Sequence, residues 1–267
     1  MPDDPRNEGG NNVVPLFGST APDAPAPARP KGAGARKGDE RLRKQRQGHR
    51  ERLRRHFLAN LRGDIRMRDY ELLELLLFGA YRQQDVQQLA KDLIQTFGSL
   101  AGVLAAEPAA LLKVRDVGEA AVSLIKVAEA LGIELAREAA IAGEMLNDYD
   151  ALAAYCRARM GRRPVEEFRI LFLDKRNRLI LDERQSSGTI DQAPAYPREV
   201  CRRALDVGAA SIILVHNHPS GDPTPSGADV ELTRRIQAAA KTLNISVFDH
   251  LVVTRGQILS FRSRGLL

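Results

Sequence analysis

Ser211-Ile212-Ile213-Leu214-Val215 runs without a break into His216-Asn217-His218, and then into Pro219-Ser220-Gly221-Asp222-Pro223-Thr224-Pro225-Ser226-Gly227-Ala228-Asp229. After Ser211 the run is apolar and rich in β-branched residues, the pattern of a buried strand. Alternation along a strand aims residues i and i+2 at one face, so His216 and His218 can direct both imidazoles to one point. The Pro/Gly/Ser-rich segment that follows is a loop by composition. Ser226 sits where a helix should start, and Asp229 falls in that helix's first turn. The loop therefore brings a helix start back onto a strand end, and the fold class expected around it is α/β.

Two imidazoles and one carboxylate are ligand types that zinc accepts, with a fourth position left for water, as in a catalytic site. Each half has a plainer reading too. Ser226-x-x-Asp229 resembles a capping box with Asp in place of Glu or Gln. A His-x-His pair can be two hydrogen-bonded polar residues at a sheet end. Taken together, the halves favour metal ligation by His216, His218 and Asp229.

His-x-His, seven residues, then Ser-x-x-Asp resembles the metal motif of the JAMM (MPN+) metalloproteases, with every spacing matched. The wording His216-Asn-His-Pro-Ser-Gly-Asp-Pro223, with Gly188-Thr189 and Pro197-Arg198-Glu199, resembles more narrowly the RadC family of bacterial proteins. The likeness is close over residues 145–267 and looser over 48–135. It implies an MPN/JAMM metallopeptidase-like domain holding one Zn²⁺ per chain.

Hydrolysis on a single zinc ion needs a polarised water, a base to take its proton and a group to steady the oxyanion. Glu166 and Glu167 stand just before Phe168-Arg-Ile-Leu-Phe-Leu173. In proteins similar to this one the general-base Glu opens that strand, two residues before the Phe, which selects Glu166. Only one of the pair can face the metal, and Glu167 is the alternative. Ser226 carries over as the hydroxyl that holds water or oxyanion, and it can serve as N-cap as well. Asp249-His250 reads either as support for a ligand or as a satisfied pair at a strand end, and the second reading is preferred. Asn217 should point away from its two neighbours.

Charge is local. Residues 1–28 carry Asp3, Asp4, Glu8 and Asp23 against Arg6, a net of −3, and residues 29–55 carry twelve Arg or Lys against Asp39, Glu40 and Glu51, a net of +9. With the whole chain at +6, everything beyond sums to zero. The basicity is thus a segment, and a non-specific foothold on DNA phosphates is expected through residues 29–62. Cys156 and Cys201 are widely spaced, which fits buried thiols in a reducing compartment. No apolar run reaches membrane-span length, and no signal peptide opens the sequence, so no membrane association and a cytoplasmic location are expected.

Residues 1–47 read as a disordered tail, basic towards its end, because Pro, Gly, Asn and Asp there cannot bury enough surface. A basic amphipathic helix runs from Asp39 to about Leu61, with Leu53, Phe57 and Leu61 at four-residue spacing. Residues 48–142 form a small helical domain: 69–79 with Asp69 as N-cap, then 85–96, 107–113, and a last helix through about Ala139. Leu112 to Ala120 resembles a helix-hairpin-helix turn, whose glycines present N–H groups to phosphate, but Asp116 stands where that family has Gly. After a joint over 143–150, residues 145–267 carry a mixed sheet. Strands are expected at 167–174, 178–182, 212–218, 245–253 and 257–261, and helices at 150–160, 197–207 and 228–243.

The expected activity is zinc-dependent hydrolysis of amide or isopeptide bonds in a peptide or protein substrate. The alternative is a DNA-associated recombination or repair factor with a structural or vestigial metal site. Metal-dependent phosphodiester cleavage is disfavoured, since two-metal sites need more carboxylates.

Overall fold

The computed structural model describes residues 33–61, 67–142, 149–187 and 195–267. Residues 1–32 of the expected tail, 143–148 of the expected joint, and Gly188-Thr189 lie outside them.

The helical half comprises α1 (Ala33–Ala59), α2 (Asp69–Leu77), α3 (Gln87–Phe97), α4 (Leu100–Ala105), α5 (Pro108–Leu111) and α6 (Glu119–Ala142). The helix begins at Ala33, within the stretch assigned to a tail, because Ala, Arg, Lys, Glu and Gln dominate there and all favour helix. Leu53 is buried and Phe57 packs beside it, on a core of Leu73, Leu77, Leu93, Val103, Leu111 and Ile125. Leu61 does not join them: α1 ends at Ala59, so its side chain leaves the stripe and is 62% exposed. The N-cap of α2 is Arg68 rather than Asp69, and the Glu71 carboxylate accepts from the Arg68 N–H at 2.9 Å. The extra helix α4 opens on Ser99, whose Oγ accepts from the Gly102 N–H at 3.0 Å.

Between α5 and α6 the backbone of Asp116 has φ 63°, the left-handed region where glycine is favoured. The Tyr81 hydroxyl fills this turn from inside. It donates to the Asp116 carbonyl at 2.5 Å and accepts from the Gly118 N–H at 3.2 Å.

The remainder is a five-stranded mixed sheet with helices on both faces. Its elements are α7 (Tyr149–Met160), β1 (Glu167–Leu173), β2 (Leu179–Ser187), α8 (Pro197–Asp206), β3 (Ser211–Asn217), α9 (Gly227–Lys241), β4 (Ser246–Val253) and β5 (Ile258–Ser260). Strand order is β2-β1-β3-β4-β5, with β3 and β4 parallel and every other pair antiparallel. β3 is buried along its whole length, as an apolar run covered on both faces must be. Ile170, Phe172, Ile212 and Leu214 pack against Val200, Ala204, Ile236 and Ala240 of α8 and α9. Leu171, Leu173, Ile213, Val215 and Leu251 face Leu152, Tyr155 and Met160 of α7. Both cysteines are free and buried. Among the described residues no helix is long and apolar enough to cross a membrane.

Candidate metal centre

The site forms where β3 ends beside the start of α9. The stripe of α9 that packs on the sheet is Asp229, Thr233, Ile236 and Ala240, a helical repeat whose first two members are polar. Ile236 and Ala240 anchor the helix in the core. Asp229 and Thr233 are thereby carried inward at its N-terminal end, where Asp229 is 2% exposed. Ser226 caps the helix: its Oγ accepts from the Asp229 N–H at 3.1 Å and donates to Asp229 Oδ2 at 2.6 Å, and its N–H donates to the same oxygen at 2.7 Å. The capping box and the ligand geometry are therefore one structure. With Oδ2 occupied, Oδ1 is left facing His216 Nε2 at 3.6 Å.

The expected ligands converge. One ligand atom each from His216, His218 and Asp229 lie within 4.8 Å of one another. His216 Nε2 and His218 Nε2 face each other at 3.0 Å, and the bonds behind each ring say what those nitrogens carry. His218 Nδ1 lies 2.8 Å from the carbonyl oxygen of Asp222, which only accepts, so Nδ1 holds the proton and Nε2 of the neutral ring is a lone pair. Behind His216 the chain is longer. The Thr233 hydroxyl donates to the Asp229 carbonyl at 2.6 Å, so towards His250 Nδ1, also at 2.6 Å, it accepts. His250 Nε2 must then accept from His216 Nδ1 at 2.8 Å, leaving His216 Nε2 without a proton. Burial reinforces this assignment, pushing His216 down to about 4 and His250 well below the usual histidine range. For His216 the neighbouring Asp229 opposes the shift without cancelling it, and His218 adds to it.

Two lone pairs and a carboxylate oxygen thus point into one space, an arrangement that repels itself unless a cation lies among them. The donor set fits a divalent ion taken by nitrogen and oxygen ligands.

Of the two carboxylates before β1, Glu167 turns away. Its Oε2 meets Arg169 Nη1 at 3.4 Å and its Oε1 meets Arg184 Nη1 at 3.7 Å. Phe168 stands opposite His216 in the β1–β3 ladder, their rings stacked with centroids 6.4 Å apart. Glu166 is half-buried and stands one residue before β1, two before Phe168, where strand alternation carried one residue further would put it on the histidine side.

Asn217 points to the opposite face, as the alternation requires, and it has a task there. Its Oδ1 accepts from the Glu167 N–H at 2.8 Å, and its Nδ2 donates to the Val165 carbonyl at 3.1 Å. Glu166 is held from both sides by the residue between the two histidines.

The sequence reading misplaced one residue of the site. His250, set aside as half of a satisfied pair, is the ring that fixes His216, and its partner Asp249 is the structural one. Asp249 accepts from the His250 and Arg262 N–H groups at 2.7 and 3.0 Å and from the Ser260 hydroxyl at 2.5 Å. A buried His on a strand adjacent to the motif was the only available signal.

Comparison with known proteins places the chain beside one family. A family model described as a RadC-like JAB domain matches residues 146–266. A UPF0758 protein of Rhodobacter capsulatus is 52% identical over 215 residues, 80% of this chain and 100% of that protein. The UPF0758 protein SPO0054 of Ruegeria pomeroyi is 45% identical over 219 residues, 82% of this chain and 97% of its own length.

Proposed function

The chain belongs to the RadC family, and from that premise we propose that it is a zinc-dependent hydrolase of amide or isopeptide bonds. The observation that carries the reading is the convergence of His216 Nε2 and His218 Nε2, 3.0 Å apart beside the free oxygen of Asp229, with the hydrogen bonds behind each ring assigning both nitrogens lone pairs. His216, His218 and Asp229 would hold a zinc ion, which when bound would supply Lewis acidity for the hydrolysis.

The protein's own groups do the rest. Glu166 takes the proton of the attacking water and returns it to the leaving amine, since a carboxylate alternates between the two roles as the bond breaks. Ser226, exposed at the helix start, has a hydroxyl able to swing from Asp229 to the developing oxyanion. Phe168 and Phe261 flank His250 with centroids 5.8 and 4.4 Å away, which keeps water from the back of the ligand ring.

The test is a screen of fluorogenic peptide and isopeptide substrates with the zinc-loaded protein and two isosteric variants. Glu166→Gln should keep its zinc and lose about 10²–10⁴-fold in rate, the usual cost of removing a general base. Glu167→Gln should stay near wild type, its partners Arg169 and Arg184 being on the other face. Loss of turnover in Glu167→Gln alone would assign the base to the wrong carboxylate. Cleavage indifferent to both changes would refute the mechanism.

A further inference from the structure

A cluster of arginines outside the metal centre lines a recess of about 490 Å³ between α1 and the turn after α2. Arg46, Arg50 and Arg54 follow one another at four-residue steps along one face of α1, and Arg82 closes the far side from the turn. Arg50 is spent on structure. Buried, it donates to the carbonyls of Tyr81, Arg82 (2.9 Å) and Gln84 (2.7 Å), and its guanidinium lies 4.4 Å over the Phe78 ring. That clamp ties α1 to the turn and holds the two walls in register.

The other three are exposed, and none meets a carboxylate among the described residues. Glu51 is the acidic residue of the lining, and its Oε1 is approached by Gln47 Nε2 at 3.4 Å. Among the described residues no carboxylate therefore neutralises Arg46, Arg54 or Arg82, and Arg54 has only the face of the Phe78 ring, 5.6 Å from its guanidinium carbon.

We propose that this recess binds the phosphodiester backbone of a nucleic-acid strand, with Arg46, Arg54 and Arg82 contacting phosphates along it. Guanidinium forks match phosphate oxygens in pairs, and an already clamped wall loses little freedom on binding. Arg46 and Arg54 are two helical turns apart, about 12 Å along the axis. One free phosphate cannot satisfy both, whereas a polymer with a charge on every unit can. The hairpin between α5 and α6 is not the site: the Gly118 N–H is taken by Tyr81, and Asp116 presents a carboxylate that is 74% exposed.

The experiment titrates labelled single-stranded and duplex oligonucleotides with the full-length chain over a range of salt, beside inorganic phosphate and polyglutamate as competitors. Arg46→Ala/Arg54→Ala should weaken binding roughly tenfold and lower the salt slope by about two, and Arg82→Ala should lower it by about one. Arg52→Ala/Arg55→Ala, charge-matched but on the opposite side of α1, should bind as wild type. Matched thermal melts exclude misfolding, since every changed residue is exposed. Equal weakening by the Arg52/Arg55 pair would reduce the effect to net charge and overturn the proposal, as would an indifferent Arg82→Ala. So would no binding of any oligonucleotide, or competition as strong from phosphate or polyglutamate.

Discussion

A buried histidine fixes its neighbour's tautomer only if its own ring is fixed from behind, and His250 is fixed in this way by Thr233. The proton order runs from a backbone carbonyl, through Thr233 and His250, to His216. Replacing His250 with Phe would fill the space beside Phe168 and Phe261 but leave His216 Nδ1 without an acceptor. Metal affinity should fall by about 10–100-fold, the usual effect of losing such a partner, with little change in fold. Competition against a chelating zinc indicator measures this, and unchanged affinity would mean that His216 needs no support. Asn217 makes a separable case. Asn217→Ala leaves the ligands in place but frees the Val165–Glu167 segment, so turnover should drop while zinc content holds. Zinc loss in that variant would show instead that Asn217 shapes the ligand strand.

At the scale of elements, α9 is a cap and a ligand carrier at once, and two substitutions tell the roles apart. Ser226→Ala removes both the cap and the hydroxyl and should cost about 1 kcal/mol, whereas Ser226→Gly should cost only a few tenths. If the hydroxyl serves the reaction, both variants should be equally slow despite their different melting temperatures. Rates that track stability would leave Ser226 a cap alone. Much of this region is legible in the sequence because β3 and α9 announce themselves locally: an apolar run, a Pro/Gly loop, a Ser cap and a repeating stripe. His250 is not legible in the same way. It reaches His216 through the parallel pairing of β3 with β4, where Leu214 lies opposite His250 after a register shift near Ile213. A shift of one residue exchanges the faces of a strand, and nothing near His250 in the sequence encodes it. The short α4, bounded by Ser99 and Ala106, is equally hard to read, since six residues give no period.

Across the whole molecule, residues 43–267 make one compact unit, yet the apolar core under α1–α6 is distinct from the two cores of the sheet. The link between them is α6, whose second half packs Ile133, Ala136 and Ile141 against the α7 side of the sheet, and it is partly polar. Arg163 reaches Glu107 at 3.4 Å and Glu129 at 3.6 Å, and the end of α6 contributes Ala140 to the α7 side of the sheet. A ligand that binds only the folded state stabilises what must be folded to bind it, by about 2.7 kcal/mol at a concentration of 100 Kd. For a metal at the β3–α9 junction, that is the strand end, the loop and the helix start, not the distant helical core. Chelation should therefore speed amide hydrogen exchange over residues 214–236 and 248–252 and leave 72–125 unchanged. His218→Ala should reproduce the chelated pattern and no longer respond to chelator. Deprotection spreading through α2–α5 would show that the two halves unfold together, and no difference anywhere would show that the three ligands hold no ion.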